Sequence, residues 1–541
     1  MKRLAFAFLG LLGTAQLLSS CKKDFLDETP KSLYTPQAAL VDSVGFEAAM
    51  AGLQSVVREQ YTADNFQLTS TQNVGIQGML GIMQEGTDVA VPGQVQGIEV
   101  PYYNYTLLNA QDQGAAYYWS WAYRTINNCN QIIAASASAP TTATLRQGYK
   151  NRISAEARFF RAYAYDFLAT LYGGVPLIDA PLLLAPRTDF TRAPLATVND
   201  FIVSDLTAAI PNMFDANKAA SGRITRGAAQ HLLGQVYLRM NQPDKAETVL
   251  QTLIGSGTYK LISARYGVRA GQPGDYFSDM FIVGNQRRNQ GNTELIWGIE
   301  QQLNVPGATT SAQQRRMWVP GYYNIKGMAI ADSLGGRGIG RMRLSNWVDY
   351  RLYPANENAD MRNSRYNLKR RFYYNDPAQT ALFGQRVTGL KGTDTIFFIT
   401  PYTTKWNQYN AADPFGYGTI KDLPMMRLGE TYLLLAEAQF KQGKTGDAAK
   451  SINALRTRAQ AAQVSASQVD LNFILDERVR ELIGEEQRRL TLMRTGTLVE
   501  RATRLNGASI TGLTKTHELL PIPQTTIDLN TNATLTQNPG Y

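Results

Sequence analysis

The chain has 541 residues, a formal charge of +10, 44% hydrophobic residues and 18% charged residues. That composition excludes a disordered chain, and the length exceeds what one core usually organises, so two lobes or a repeat array are expected. The basic residues are scattered, apart from the cluster Lys369-Arg370-Arg371, and read as a solvated surface rather than a nucleic-acid footprint; with only two cysteines there is neither a disulfide framework nor a thiolate metal site.

Residues 1–20 have the three parts of an export signal. Lys2 and Arg3 give a positive start, Leu4 to Leu12 form an apolar run, and Leu18-Ser19-Ser20 lead into Cys21. The stretch is shorter than the roughly 20 apolar residues a bilayer span needs. A Cys directly after Leu-Ser-Ser looks like the bacterial lipoprotein box, in which the thiol is acylated and becomes the first residue after cleavage. Cys21 is therefore the expected lipid attachment, and the polar residues 21–35 the tether. Loss of Lys2 and Arg3 lowers the charge from +10 to +8. No later segment offers about 18 uninterrupted apolar residues, so the remainder is expected to be soluble.

A helical segment over 117–135 contains Trp119 and Trp121, read as core or interface, and Cys129, read as a buried small hydrophobe. In 152–172, Ile153, Ala157, Phe160, Ala164, Phe167 and Leu171 recur at spacings of three and four, which is one helix face. Gly173-Gly174 stops that helix.

Residues 228–253 and 430–455 share a pattern of helix, short polar turn and second helix. Leu232 aligns with Leu434, Gly234 with Ala436, Leu238 with Phe440, Ala246 with Ala448 and Leu253 with Leu455. Small residues at Gly234, Ala246, Ala436 and Ala448 would let paired helices approach closely, as in a tetratricopeptide-type hairpin. Two units make no regular solenoid, so helices at 117–135, 146–172 and 470–499 are expected to pack with them. His231 and His517 are expected to be structural rather than metal ligands.

The tract 257–425 is rich in Gly, Pro, Asn, Tyr and Trp and should be long ordered loops, which commonly carry function. Strand-like runs occur at Glu294–Glu300 and Thr395–Thr400. The Pro- and Asn-rich tail, 517–541, should lie extended across the surface.

At this point the chain is similar to the SusD/RagB family of Bacteroidetes outer-membrane lipoproteins. The residues carrying the resemblance run in order along the chain. Lys23-Asp24-Phe25-Leu26-Asp27 follows the anchor. Glu156-Ala-Arg-Phe-Phe-Arg-Ala-Tyr163 precedes Tyr172-Gly-Gly-Val-Pro176. Asn292-Thr-Glu294-Leu-Ile, Met426-Arg427-Leu428 with Glu430 to Ala438, and Glu477-Arg-Val-Arg-Glu481-Leu-Ile-Gly-Glu485 come next. Pro521-Ile-Pro523 and Gln537-Asn-Pro-Gly-Tyr541 close the chain. Leu490-Thr491 departs from the family, which commonly has an aromatic and an Asp there.

The resemblance implies a mostly α fold: tetratricopeptide-like helical hairpins form a right-handed superhelical body, while long irregular loops and a few short strands form the ligand-binding face. It divides the chain into an N-terminal SusD-like helical region, 36–256, and a C-terminal region, 257–541, made of loop-rich 257–425, helical 426–500 and an extended tail, 501–541. It also implies capture of an oligosaccharide, delivery to a SusC-like TonB-dependent outer-membrane transporter, no cofactor, and a lipid-anchored location on the outer membrane facing the exterior. A peptide-binding receptor of the RagB type is the alternative.

Enzyme motifs such as H-E-x-x-H, G-x-S-x-G and a Walker loop are missing from the sequence. Gly335-Gly-Arg-Gly-Ile-Gly340 has the spacing of a turn, not of a phosphate loop. Asp88, Glu99 and Asp360 could in principle supply a glycosidase pair, making a surface glycoside hydrolase the reading of a different class. Glu485 and Arg489, at i and i+4, are read as part of an ion-pair network.

Sugars offer flat C–H faces to aromatic rings and hydroxyls to amides, carboxylates and guanidinium groups. Two loops carry that mixture: 84–105, with Asp88, Gln94, Gln96, Tyr102, Tyr103 and Asn104, and 313–326, with Arg315, Arg316, Trp318, Tyr322, Tyr323 and Asn324. Ligand contacts in the family come largely from these two regions. Trp347 and Trp406 are reserve candidates.

Overall fold

The computed structural model describes residues 39–61, 79–95, 97–182, 187–302, 305, 313–354, 359–416 and 419–541. The expected signal, Cys21, the tether and Gln96 lie outside the described residues. About half of the chain is helical, with few short strands.

The long helices are α1 (Ser43–Arg58), α2 (Gln113–Ser138), α3 (Gln147–Tyr172), α4 (Leu195–Ala209), α5 (Arg226–Arg239), α6 (Pro243–Gly255), α7 (Leu428–Lys441), α8 (Thr445–Arg458), α9 (Leu471–Leu482), α10 (Arg488–Arg494) and α11 (Leu498–Asn506). Their starts follow capping chemistry. Asp42, Asp112 and Asp470 each accept a bond from a backbone N–H in the first turn of α1, α2 and α9. The helix expected over 152–172 is α3, and its terminating Gly173 has φ +74°. Every predicted face residue of α3 is buried, but so are all residues from Phe159 to Tyr172, so the second half of the helix is enclosed on all sides while the first half is amphipathic.

The two sequence-related hairpins, α5/α6 and α7/α8, stack on each other. Leu238, Ala246 and Leu250 share one apolar cluster with Leu434, Leu435 and Ala438. Their turns use the same device at aligned positions: Asn241 and Gly443 both have positive φ, 56° and 75°. Buried His231 bridges the two hairpins, with Nδ1 2.9 Å from Thr431 Oγ1 and Nε2 3.4 Å from Glu430, the structural role expected of it. An added Cβ at Gly234 would lie 2.6 Å from Leu250 Cγ and Cδ2. Gly234→Ala should therefore cost about 1–3 kcal/mol as overpacking, read as a lowered urea midpoint. An unchanged midpoint would mean that Leu250 repacks freely.

Among the described residues, six short strands form three two-stranded antiparallel ladders: β1 (Ala90–Pro92) with β3 (Met342–Leu344), β2 (Leu295–Ile299) with β6 (Leu423–Arg427), and β4 (Leu368–Lys369) with β5 (Tyr402–Thr403). The run at 294–300 is a strand, as expected. The run at 395–400 is not: Asp394–Phe398 is a single π-helical turn that follows left-handed Gly389 and Gly392, and Phe397 gives its carbonyl to Gly321 N. The continuous helix expected over 470–499 is broken into α9, α10 and α11 near Gly484 and Gly496, both left-handed. The tail does more than cross the surface. Leu520, Ile522 and Leu535 are buried in the main core, and Leu520 N donates to Leu171 O at 2.6 Å.

Candidate functional site

The two loops singled out in the sequence lie side by side. β1 pairs with β3 just beyond the second loop, Gly93 N donates to Arg341 O, and Gln94 Nε2 donates to Ile339 O. Gly340 N in turn donates to Val319 O. The Gly335–Gly340 segment is a tight turn, as expected. Gly335 and Gly336 are left-handed, and a Cβ on Gly338 would sit 1.8 Å from Val319 O.

What these loops present differs from the expectation. Asp88 is fully buried between Arg488 and Arg501, which donate to it at 2.7–2.8 Å. Burial would raise its carboxyl, but the two guanidinium groups more than offset this and hold it at about 2. Tyr102 donates to Asp112 at 2.6 Å, Tyr322 donates to Gly336 O at 2.9 Å, and Arg315 donates to Gln408 O. Tyr103, Arg316 and Trp318 are buried as well. Trp318 borders a cavity of about 40 Å³, room for water and not for a sugar ring. Expected as ligand contacts, Asp88, Tyr102, Tyr103, Arg315, Trp318 and Tyr322 are instead core side chains bonded or packed within the protein. Of the described candidates, Gln94, Asn104 and Tyr323 are half-buried and Asn324 is exposed.

The reserve candidates Trp347 and Trp406 are also buried, as are Trp119, Trp121 and Trp297. Any ring stacking at the surface therefore falls to Tyr and Phe. The carboxylates considered for hydrolysis are equally occupied. Asp88 pairs with Arg488 and Arg501, Glu99 with Arg341 at 2.5 Å, and Asp360 with Arg362 at 2.8 Å, and all three are buried. Glu485 and Arg489 do not pair with each other. Glu485 takes Lys405 and Arg427, while Arg489 donates to loop carbonyls, because the chain breaks helically between them.

A cleft of about 910 Å³ opens elsewhere on the loop-rich region, between residues 265–283, 332–333, 363–373, 404–409 and 420–421. Its volume is at the upper end of ordinary ligand sites. Asp275 ties one wall to another: it caps Ser278 N at 2.7 Å and accepts from Ser364 Oγ at 2.7 Å and Asn367 Nδ2 at 3.1 Å. β4, held by β5, contributes Leu368 and Lys369. The lining combines Tyr366, Tyr373 and Tyr409 with Asn363, Asn367 and Gln408. Tyr373 is 48% exposed, and the buried Oδ1 of Asn367 has no hydrogen-bond partner. Rings flanked by amides and basic groups are the chemistry sought in the sequence, at other positions. The signal was present in Arg362-Asn-Ser-Arg-Tyr-Asn-Leu-Lys-Arg-Arg-Phe-Tyr-Tyr374, where aromatic, amide and basic residues interleave.

The fold is a helical-hairpin body with three short antiparallel ladders, and it bears an open cleft lined by rings, amides and charges. Residues 349–541 match the family model described as "SusD family", and residues 24–238 match one described as "Starch-binding associating with outer membrane". The chain belongs to the SusD/RagB family. It is 23% identical to SusD-like protein P25 of Formosa agariphila over 94% of each chain, and 26% identical to starch-binding protein SusD of Bacteroides thetaiotaomicron over 74% of this chain and 73% of that one. Among solved structures, it shares its fold with a laminarin-binding SusD-like protein (TM-score 0.67, 22% identity, covering 92% of this chain and 100% of that one). A surface glycan-binding protein A from Bacteroides fluxus is similar too (TM-score 0.68, 19% identity, 92% and 99% covered).

Proposed function

We propose that this protein is a non-catalytic receptor that captures oligosaccharide at the outer face of the outer membrane, held there by lipid on Cys21, and passes it to a SusC-like TonB-dependent transporter. The observation that carries this reading is the 910 Å³ cleft, where three tyrosines stand among amides and cations. Pyranose faces stack on such rings, and hydroxyls pair with the amides. Relatives described as starch-binding and laminarin-binding favour a glycan over a peptide.

The carboxylates support a non-catalytic role. Asp279 and Asp332 line the cleft, and each carries an arginine, Arg265 at 2.6 Å and Arg269 at 2.9 Å. A glycosidase needs two carboxylates free to flank the glycosidic bond, and each of these is engaged by an arginine.

Affinity electrophoresis against a polysaccharide panel tests the reading, with at least one glycan expected to retard the protein. Retardation by none, together with peptide binding, would replace it with a RagB-type peptide receptor. Release of reducing sugar by the purified protein would overturn the non-catalytic assignment. Absence of a TonB-dependent barrel from the co-purifying proteins would overturn the partnership.

A further inference from the structure

The cleft is strongly basic. Among the described residues, seven Lys or Arg side chains line it against two carboxylates, Asp279 and Asp332. Both carboxylates are already used by Arg265 and Arg269. The five cations that remain are Arg365, Lys369, Arg370, Arg371 and Lys421, and none has a carboxylate within salt-bridge distance among the described residues.

Their hydrogen-bond partners are neutral, with Asp349 acting on Arg370 and Asp332 on Lys421 only through space beyond salt-bridge distance. Arg365 donates to Tyr366 Oη at 2.8 Å, Lys369 to Ser333 O at 2.8 Å, Arg370 to Asn363 Oδ1 at 2.8 Å, and Lys421 to Lys405 O at 2.5 Å. Their charges also disturb one another. Burial and then the charge of Arg365 push the Lys369 ammonium down, and burial followed by Arg269 pushes Lys421 down to about 7. Hydroxyl recognition needs none of this, because amides serve hydroxyls without repelling one another. Like charges held in one concave site cost electrostatic energy, and an anion placed among them relieves it.

We propose that the cleft selects an acidic glycan, one bearing uronate or sulfate groups, with the tyrosines stacking on its rings and Arg365, Lys369, Arg370 and Arg371 holding its anions. The proposal rests on the glycan-binding reading and adds the charge of the ligand. Arginine suits both anions, since its planar fork matches carboxylate and sulfate oxygens in pairs. The tyrosines keep the site from being a simple counter-ion sink: Tyr373 is 48% exposed, and Arg365 lies over the Tyr366 ring, 4.9 Å from its centroid, so rings and charge are presented together.

The test uses the full chain in affinity electrophoresis and titration calorimetry. Polygalacturonate is the uronate arm, dextran sulfate the sulfate arm, and starch, laminarin and dextran the neutral arm. At least one acidic arm should bind more than tenfold tighter than every neutral one. The variant Arg365→Gln/Lys369→Gln/Arg371→Gln should lose at least tenfold for that arm. Lys369→Arg, which keeps the charge, should stay within about threefold of wild type.

A charge-matched control, Lys218→Gln/Lys391→Gln/Lys515→Gln, removes three exposed cations outside the cleft and should change affinity less than twofold. Equal losses in the two triple variants would overturn the proposal in favour of general surface charge. Neutral glycans bound as tightly as acidic ones would overturn it while leaving the glycan-receptor reading intact. Binding to no glycan in any arm would remove both.

Discussion

Glu481→Gln is expected to destabilise the protein by about 3–5 kcal/mol, the cost of removing one shared counter-charge from a buried network of arginines. Glu481 has no exposed surface and accepts from three arginines: Arg458 at 2.5 Å, Arg427 at 3.1 Å and Arg362 at 3.3 Å. Arg427 and Arg458 also share Glu294, at 3.0 and 2.8 Å, and Arg362 shares Asp360 and Glu477, both at 2.8 Å. The network thereby joins the residue before β2, β6, α8, α9 and the turn at 360–363. Burial would raise the Glu481 carboxyl, but Arg458, Arg427 and Arg362 hold it well below the usual carboxylate range. Glutamine keeps the shape and removes the charge. Urea unfolding followed by circular dichroism should show the loss, and a change under about 1 kcal/mol would show that water or rearrangement compensates the arginines.

Arg489→Ala should release the segment 82–105 from the body. The guanidinium has no exposed surface and donates to Ile82 O at 2.6 Å, Glu85 O at 2.7 Å, Tyr102 O at 2.9 Å and Tyr105 Oη at 2.7 Å. It lies over the rings of Tyr102 and Tyr105, with centroids at 5.1 and 5.6 Å. Three backbone carbonyls depend on one side chain some 400 positions away. Each orphaned buried acceptor costs about 1–3 kcal/mol, so the sum passes about 3 kcal/mol. Hydrogen exchange should show lost protection across 82–105 and none lost in the α5/α6 hairpin. Unchanged protection in 82–105 would mean that β1–β3 pairing and the ion pairs of Asp88 and Glu99 hold the segment without it.

The helical body was legible because its signals are local. The spacing of Ile153, Ala157 and Phe160, the Gly173 stop and the small residues of both hairpins each act within a few turns of chain. The site was less legible because burial is set at long range. Tyr102 and Tyr322 sit in loops of suitable composition, yet their hydroxyls face Asp112 and Gly336, inward. Asp88 reads as a free carboxylate until Arg488 and Arg501, 400 positions on, arrive beside it. The cluster Lys369-Arg370-Arg371 was visible, but only the fold sets it across a cleft from Arg269 and Lys421. Family resemblance pointed to the two loops, and these do adjoin each other; it carried no information about which of their side chains turn outward.

The stacking of α5/α6 on α7/α8 has a consequence for the life of the chain before it is folded. Leu238 and Leu250 lean on Leu434 and Leu435, supplied by residues nearly 200 positions later. As the polypeptide emerges from the ribosome, the first hairpin must wait for most of the remainder before that apolar face can be covered. Contacts of such long range close slowly, because the loop entropy is lost before the contact forms. The apolar face of α5/α6 therefore stays uncovered through much of synthesis, where it must be kept from pairing wrongly.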